Sequence, residues 1–198
     1  MEDQAQKIDF RWVILYCVTF AAVAAAVYNS IKSKRRILTH LSSFLNGSVS
    51  GFLNPGLSGK IEKAGFTIEI KKANNRPVLK IIFQTALSFR LKMQSRKSFG
   101  DNESFFPLKQ ITAGDADYDR EYAVFADDGT AAAIFLSDPS IRNSANALFQ
   151  AGVRNLEIRR NAVELEKVCV DEEFELEENN FRKFLNHLLN FSKMGAKL

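Results

Sequence analysis

The sequence predicts an α+β fold: an N-terminal single transmembrane helix followed by an antiparallel-sheet domain with two packing helices. Three patterns carry this reading. Residues 12–31 contain no charged side chain. Short runs after residue 60 alternate apolar and polar residues, as half-buried strands do. Two later segments space their apolar residues as one face of a helix. The 198 residues include 17 Phe and are 46% hydrophobic, enough for one folded core. Two Cys and two His exclude a disulfide framework and leave little material for metal or nucleophile chemistry.

The uncharged run is the strongest signal. Twenty helical residues cover roughly 30 Å, the thickness of a bilayer's hydrocarbon core. Trp12 and Tyr16 lie near one end and Tyr28 near the other, where interfacial aromatics collect. A buried core helix is one alternative, but a helix apolar on every face needs more chain around it than this one has. A cleaved signal peptide is another, with Ala22-Val23-Ala24 as its cleavage site. Against it, Glu2, Asp3 and Asp9 outweigh Lys7 and Arg11, where a signal peptide carries a positive leader. Lys32, Lys34, Arg35 and Arg36 follow the run directly, so the positive-inside rule puts the C-terminal side in the cytoplasm and the N-terminus outside. Ala21/Ala25 and Ala22/Ala26 are small-xxx-small pairs, a candidate helix-packing face.

The expected organisation is a short non-cytoplasmic N-terminus (1–11), the membrane helix (12–31), a juxtamembrane helix with a Gly/Ser linker (32–59), and a cytoplasmic domain (60–198). Ile37, Leu41, Phe44 and Leu45 give residues 37–46 helical spacing, and Asn46-Gly47 stops it. Four Gly, three Ser and Pro55 make 47–59 read as a loop. A strand at 58–63 turns through Ala64-Gly65 into a strand carrying Phe66, Ile68 and Ile70. A turn at Asn74-Asn75 leads to a strand over 78–83. Leu87, Phe89, Leu91 and Met93 alternate most regularly of all, and these strands should form an antiparallel meander. A polar loop over 95–106 and a strand over 122–126 follow; 131–136 fits strand or helix equally. Asp138-Pro139 starts a helix that Gly152 closes. A hairpin joins 156–160 to 163–168. A final helix over 176–194 puts Phe181, Phe184, Leu185, Leu188 and Leu189 on one stripe, with Phe191 partly off it as a candidate partner surface. The tail from residue 193 shows no pattern.

Charge divides the chain. Residues 32–109 hold 15 Lys and Arg against 4 Asp and Glu, whereas 110–198 hold 10 against 16. The basic half lies next to the membrane, where anionic lipid attracts it, although many of these residues also fit the wet faces of strands. No basic stripe is interleaved with exposed aromatics, so no nucleic-acid partner is expected. Asp115, Asp117, Asp119 and Glu121 recur like the start of a calcium loop. Arg120 and Ala126 stand where such a loop needs Gly and Glu, so no metal and no cofactor is expected. His40, His187 and Cys169 have no partners at ligand spacing.

Gly114-Asp115-x-x-Tyr118-Asp119-x-x-Tyr122-x-Val124, then Asp127-Asp128, then Leu136-x-Asp138-Pro139, resembles the core of an uncharacterised bacterial family of single-pass membrane-anchored proteins. The Leu156-x-Ile158 and Val163-x-Leu165 hairpin is similar too. The resemblance spans about residues 110–175 of the sequence. It implies a membrane-anchored module and carries over no functional residue. On structural grounds Tyr118, Tyr122 and Val124 should tie a strand edge to the helix at 139–151. The expected function is a non-enzymatic accessory or scaffold subunit of a larger membrane protein complex, with the lipid bilayer as a second partner. The alternative is a membrane-surface module that binds anionic lipid, and the third reading is an enzyme with an unrecognised site.

Overall fold

The first helix is both an uncovered apolar stretch and part of the domain core. The computed structural model describes residues 10–73, 76–96 and 108–195. Helix α1 (Phe10–Leu45) is continuous. From Trp12 to Asn29 it is exposed on every side, and it is the one helix among the described residues long and apolar enough to cross a membrane. Its last turns are different. Ile37, Leu38, Leu41, Phe44 and Leu45 are buried in the core.

A reversal at Asn46, which takes a positive φ, leads into β1 (Gly47–Ser50) and β2 (Gly56–Ile61). The stretch expected as a linker is therefore the first hairpin of the sheet. Its glycines are packing residues: a Cβ on Gly59 would meet the Phe66 ring at 2.8 Å and the Cα of Gly47, opposite it, at 2.9 Å. The next turn falls at Glu62-Lys63, with Glu62 at positive φ, rather than at Ala64-Gly65, which open β3 (Ala64–Ala73). Strand β4 (Arg76–Gln84) completes a four-stranded meander. The turn residues 74–75, most of the polar loop at 97–106, and the terminal residues 1–9 and 196–198 lie outside the described residues.

The meander does not continue into β5 (Leu91–Ser95) as expected. After β6 (Lys109–Ile111), α2 (Ala116–Glu121) and β7 (Tyr122–Ala126), the chain forms α3 (Gly129–Ser137) and α4 (Pro139–Gln150). Residues 131–136 are thus helical. Asp128 caps α3, accepting hydrogen bonds from the amides of Thr130 and Ala131, both at 3.0 Å. Asp138 caps α4 the same way, through the Ser140 amide at 2.7 Å. Gly152, at φ +93°, closes it. Strands β8 (Val153–Arg159) and β9 (Ala162–Val168) form the expected hairpin, and short α5 (Glu172–Glu175) precedes α6 (Glu178–Gly195).

The described strands form one antiparallel sheet in the order β1-β2-β3-β4-β9-β8-β5-β7-β6. The β8–β9 hairpin separates β4 from β5 because each needs a long apolar partner: Ile81 faces Leu165, and Met93 faces Leu156. Helices cover one face. The end of α1 packs on β1 and β2, α6 crosses β4, and α4 lies on β8 against α6. Over β4, β8 and β9 the opposite face is part-exposed and carries cross-strand ion pairs, whereas over β5 and β7 Gln94, Ala123 and Phe125 on that face are buried. Glu157 and Glu164 stand directly opposite each other, a like-charge pair relieved by Arg159, whose guanidinium reaches them at 3.1 and 3.3 Å. Glu157 and Glu164 in turn hold the Arg159 pKa above its ordinary value.

The stripe of α6 packs as expected, with Phe181, Phe184, Leu185, Leu188 and Leu189 all buried. Phe191 does not serve as a partner surface. It is 0% exposed, its ring centroid 5.7 Å from that of Phe135 on α3. The helix turns just far enough over its length for Phe191 to reach α3, which the sequence left unassigned. Two outcomes follow. Phe191→Ala should destabilise the domain by roughly 3–5 kcal/mol. Leu41→Ala should cost roughly 2–5 kcal/mol although it lies on the anchor helix. Urea unfolding in detergent, followed by far-UV circular dichroism, measures both; a neutral Leu41→Ala would show that α1 is not part of the core.

Candidate membrane-proximal interface

The most organised polar contacts that involve function-candidate residues surround α1 where it leaves its uncharged run. Arg35 donates a hydrogen bond from Nη2 to the carbonyl of Gly51, in the β1–β2 loop, at 2.8 Å. Arg36 forms an ion pair with Glu172 of α5 at 3.4 Å. His40 Nε2 lies 3.1 Å from the carbonyl of Leu176. At the end of α1, Arg182 of α6 donates to the carbonyl of Phe44 while its guanidinium lies 5.7 Å from the Phe44 ring centroid. That bond satisfies one of the orphan carbonyls at a helix C-terminus and adds a favourable cation there. So two of the four expected membrane-flanking basic residues, Arg35 and Arg36, are partly committed to the domain. Lys32 is exposed and Lys34 half-buried.

The opposed charge halves turn out to meet within the sheet. Lys71 pairs with Glu166 at 2.9 Å, Lys80 with Glu164 at 2.9 Å, and Arg90 with Glu157 at 3.9 Å. Three of the basic side chains of residues 32–109 are therefore answered by the acidic half on this face. The Glu166 carboxylate raises the Lys71 pKa from its ordinary value.

The other candidates resolve individually. Ala21, Ala22, Ala25 and Ala26 are exposed on α1. Asp117, Asp119 and Glu121 lie in helix α2 and Asp115 just before it, so the acidic run is not a calcium-type loop. Asp115 is the N-cap of α2, accepting from the amides of Asp117 and Tyr118, and Asp119 accepts from the Ala113 amide at 2.7 Å. Among the described residues no group of three His, Cys, Asp or Glu is placed to hold a metal ion. Tyr122 does tie the sheet edge to α4. It donates to Asn146 Oδ1 at 2.6 Å and stacks on Phe149 at 4.8 Å. Tyr118 packs against Tyr122 and donates to Met93 Sδ at 3.1 Å, and burial pushes its pKa upward.

One buried charge escaped the sequence reading. Lys167 is 3% exposed and donates to Glu175 and to the carbonyl of Ala151. It stands at the wall of a cleft of about 370 Å³ lined by Val168, Phe174 and Phe184 among others. The period-two pattern did hold the signal: Val163, Leu165 and Lys167 share one face, so Lys167 had to point inward. Glu175 also accepts from the amides of Val170 and Asp171. Burial pushes its pKa up, but Lys167 and these two amides outweigh that and hold it below the ordinary 4.5. Burial raises the Cys169 thiol to about 11, so it is an inert core residue.

No family model and no curated protein sequence matches the chain. Among solved structures, the crystal structure of the mycobacterial trehalose monomycolate transport factor A, TtfA, is similar, with a TM-score of 0.51 at 10% identity, covering 78% of this chain and 95% of that one. The likeness shows a shared fold.

Glu175→Gln removes the partner of a buried cation and should destabilise the domain by about 3 kcal/mol at neutral pH. Because the native Glu175 pKa is depressed, the wild-type contribution is complete above about pH 4.5 and fades as pH falls below it. The gap between wild type and Glu175→Gln in chemical denaturation should therefore narrow in acid. A gap that is constant with pH would show that the ion pair is not its source.

Proposed function

We propose that the protein is a membrane-anchored, non-enzymatic accessory subunit of a larger membrane protein complex, with its domain on the cytoplasmic side. The observation that carries this is the division of labour within α1. Residues 12–29 present apolar surface that the chain itself leaves uncovered, and the same helix then enters the core of a folded domain. The described polar groups support a structural role as well. The carboxylates that cluster in sequence cap helices or bridge strands. The fold is shared with a protein described as a transport factor, which favours a membrane transport assembly as the complex. Within the bilayer, the Ala21/Ala25 and Ala22/Ala26 faces offer a partner helix close backbone approach. Cytoplasmic placement rests on Lys32, Lys34, Arg35 and Arg36 following the span.

Purification from membranes in mild detergent should recover integral membrane proteins with the wild-type chain. Ala21→Leu combined with Ala25→Leu should reduce that recovery while leaving the domain's unfolding midpoint unchanged. Protease added to intact cells should leave the domain uncut. Empty recoveries across several detergents would remove the accessory reading, and cleavage from outside would reverse the topology.

A further inference from the structure

The β1–β2 hairpin ends in an apolar pair. Phe52 is 78% exposed and Leu53 64% exposed, side by side in a loop otherwise made of Gly51, Asn54 and Pro55. Single exposed apolar residues are ordinary on a protein surface. Here the position along α1 makes the pair informative. The chain reverses at Asn46, so β1 runs back along α1 toward the membrane end. Strand residues advance roughly 3.3 Å each and helical residues roughly 1.5 Å, so β1 climbs back along about nine residues of α1. That brings Gly51 level with Arg35, and the 2.8 Å hydrogen bond between them fixes the level. Phe52 and Leu53 follow immediately at the tip.

The bilayer boundary can be placed on the same scale. The uncharged run ends at Ile31. Arg35 lies one turn further, about 6 Å along the axis. The headgroup layer of a bilayer is about 5–8 Å deep on each side. Arg35, Gly51 and the hairpin tip therefore fall within that layer when α1 spans the membrane. Burial agrees: Ser30, Ile31, Ser33 and Lys34 are already half-covered, so the domain rim reaches the end of the uncharged run with no free stretch of helix between. Gly51 sits at φ +86°, and a Cβ there would come within 2.5 Å of the Asn54 carbonyl, so the loop is a tight turn with its own shape.

We propose that Phe52 and Leu53 insert into the interfacial layer of the same bilayer that α1 spans, giving the domain a second membrane contact that sets its rotation and tilt about the anchor. The occupant is lipid. Lys32, exposed at the same level, and the guanidinium donors of Arg35 not used on Gly51 suit lipid phosphates around the inserted pair. The inference rests on α1 as the anchor and does not depend on any protein partner.

The test uses the full chain in phosphatidylcholine–phosphatidylglycerol vesicles, in a Trp12→Phe background so that one Trp reports. Phe52→Trp is compared with Phe20→Trp in the span and with Lys63→Trp at the far end of β2. Lipids brominated near the headgroup end of the acyl chain should quench the reporter at position 52 strongly, and iodide should quench it several-fold less than the reporter at 63. The reporter at 20 should be quenched by lipids brominated near the chain end. If position 52 is quenched by iodide as readily as 63 and ignored by bromolipid, the proposal fails while the anchor stands. A reporter at 52 shielded from both quenchers would overturn it in favour of a protein covering the loop. An unquenched reporter at 20 would overturn the anchor and this proposal together.

Discussion

The structure depends on one continuous helix that must satisfy two solvents. Over its first half α1 needs apolar residues on all sides, because nothing in the chain covers it. Over its last three turns it needs a single apolar stripe, because the sheet and α6 cover one side only. Ile37, Leu38, Leu41, Phe44 and Leu45 supply that stripe, and Arg36, Thr39, His40 and Ser43 face outward. Without a hinge between the halves, the direction of the membrane helix fixes the direction of the domain. Arg35 to Gly51, Arg36 to Glu172 and Arg182 to Phe44 then brace the junction from three different elements.

The features legible in the sequence were those with a local cause. The strand at 122–126, the Pro139 helix with its Asp138 cap, the hairpin between β8 and β9 and the α6 stripe all follow from short-range periodicity and capping chemistry. Even the tie from Tyr122 to α4 could be anticipated, because spacing puts it on the inward face. The failures have causes too. Glycine-rich β1 and β2 carry few apolar residues, since close strand approach leaves no room for them, and so they read as a linker. The separation of β4 from β5 is a long-range pairing that no local pattern encodes. Phe191 was misplaced because its partner, Phe135, sits in a segment whose periodicity was ambiguous.

The functional candidates divide along the same line. The membrane-flanking basic cluster was visible as a run of like charges, but its tertiary partners were not. The opposed charges of the two halves suggested an external partner, and some of them are each other's counterions across β3, β4 and β9. Lys167 was legible by alternation and overlooked because a lysine is seldom fully buried.

The contact between α1 and α6 also constrains how the domain is made. Phe44 meets Phe181 edge-on at 6.4 Å, and the carbonyl of Phe44 waits for Arg182. Every strand of the sheet lies between these two helices in the chain. During synthesis α1 emerges before the strands and α6 after them, so the stripe from Ile37 to Leu45 stays incompletely covered until α6 joins it. The core therefore closes only when α6 joins it, a pairing of residues far apart in the chain, which is the kind of contact that slows folding.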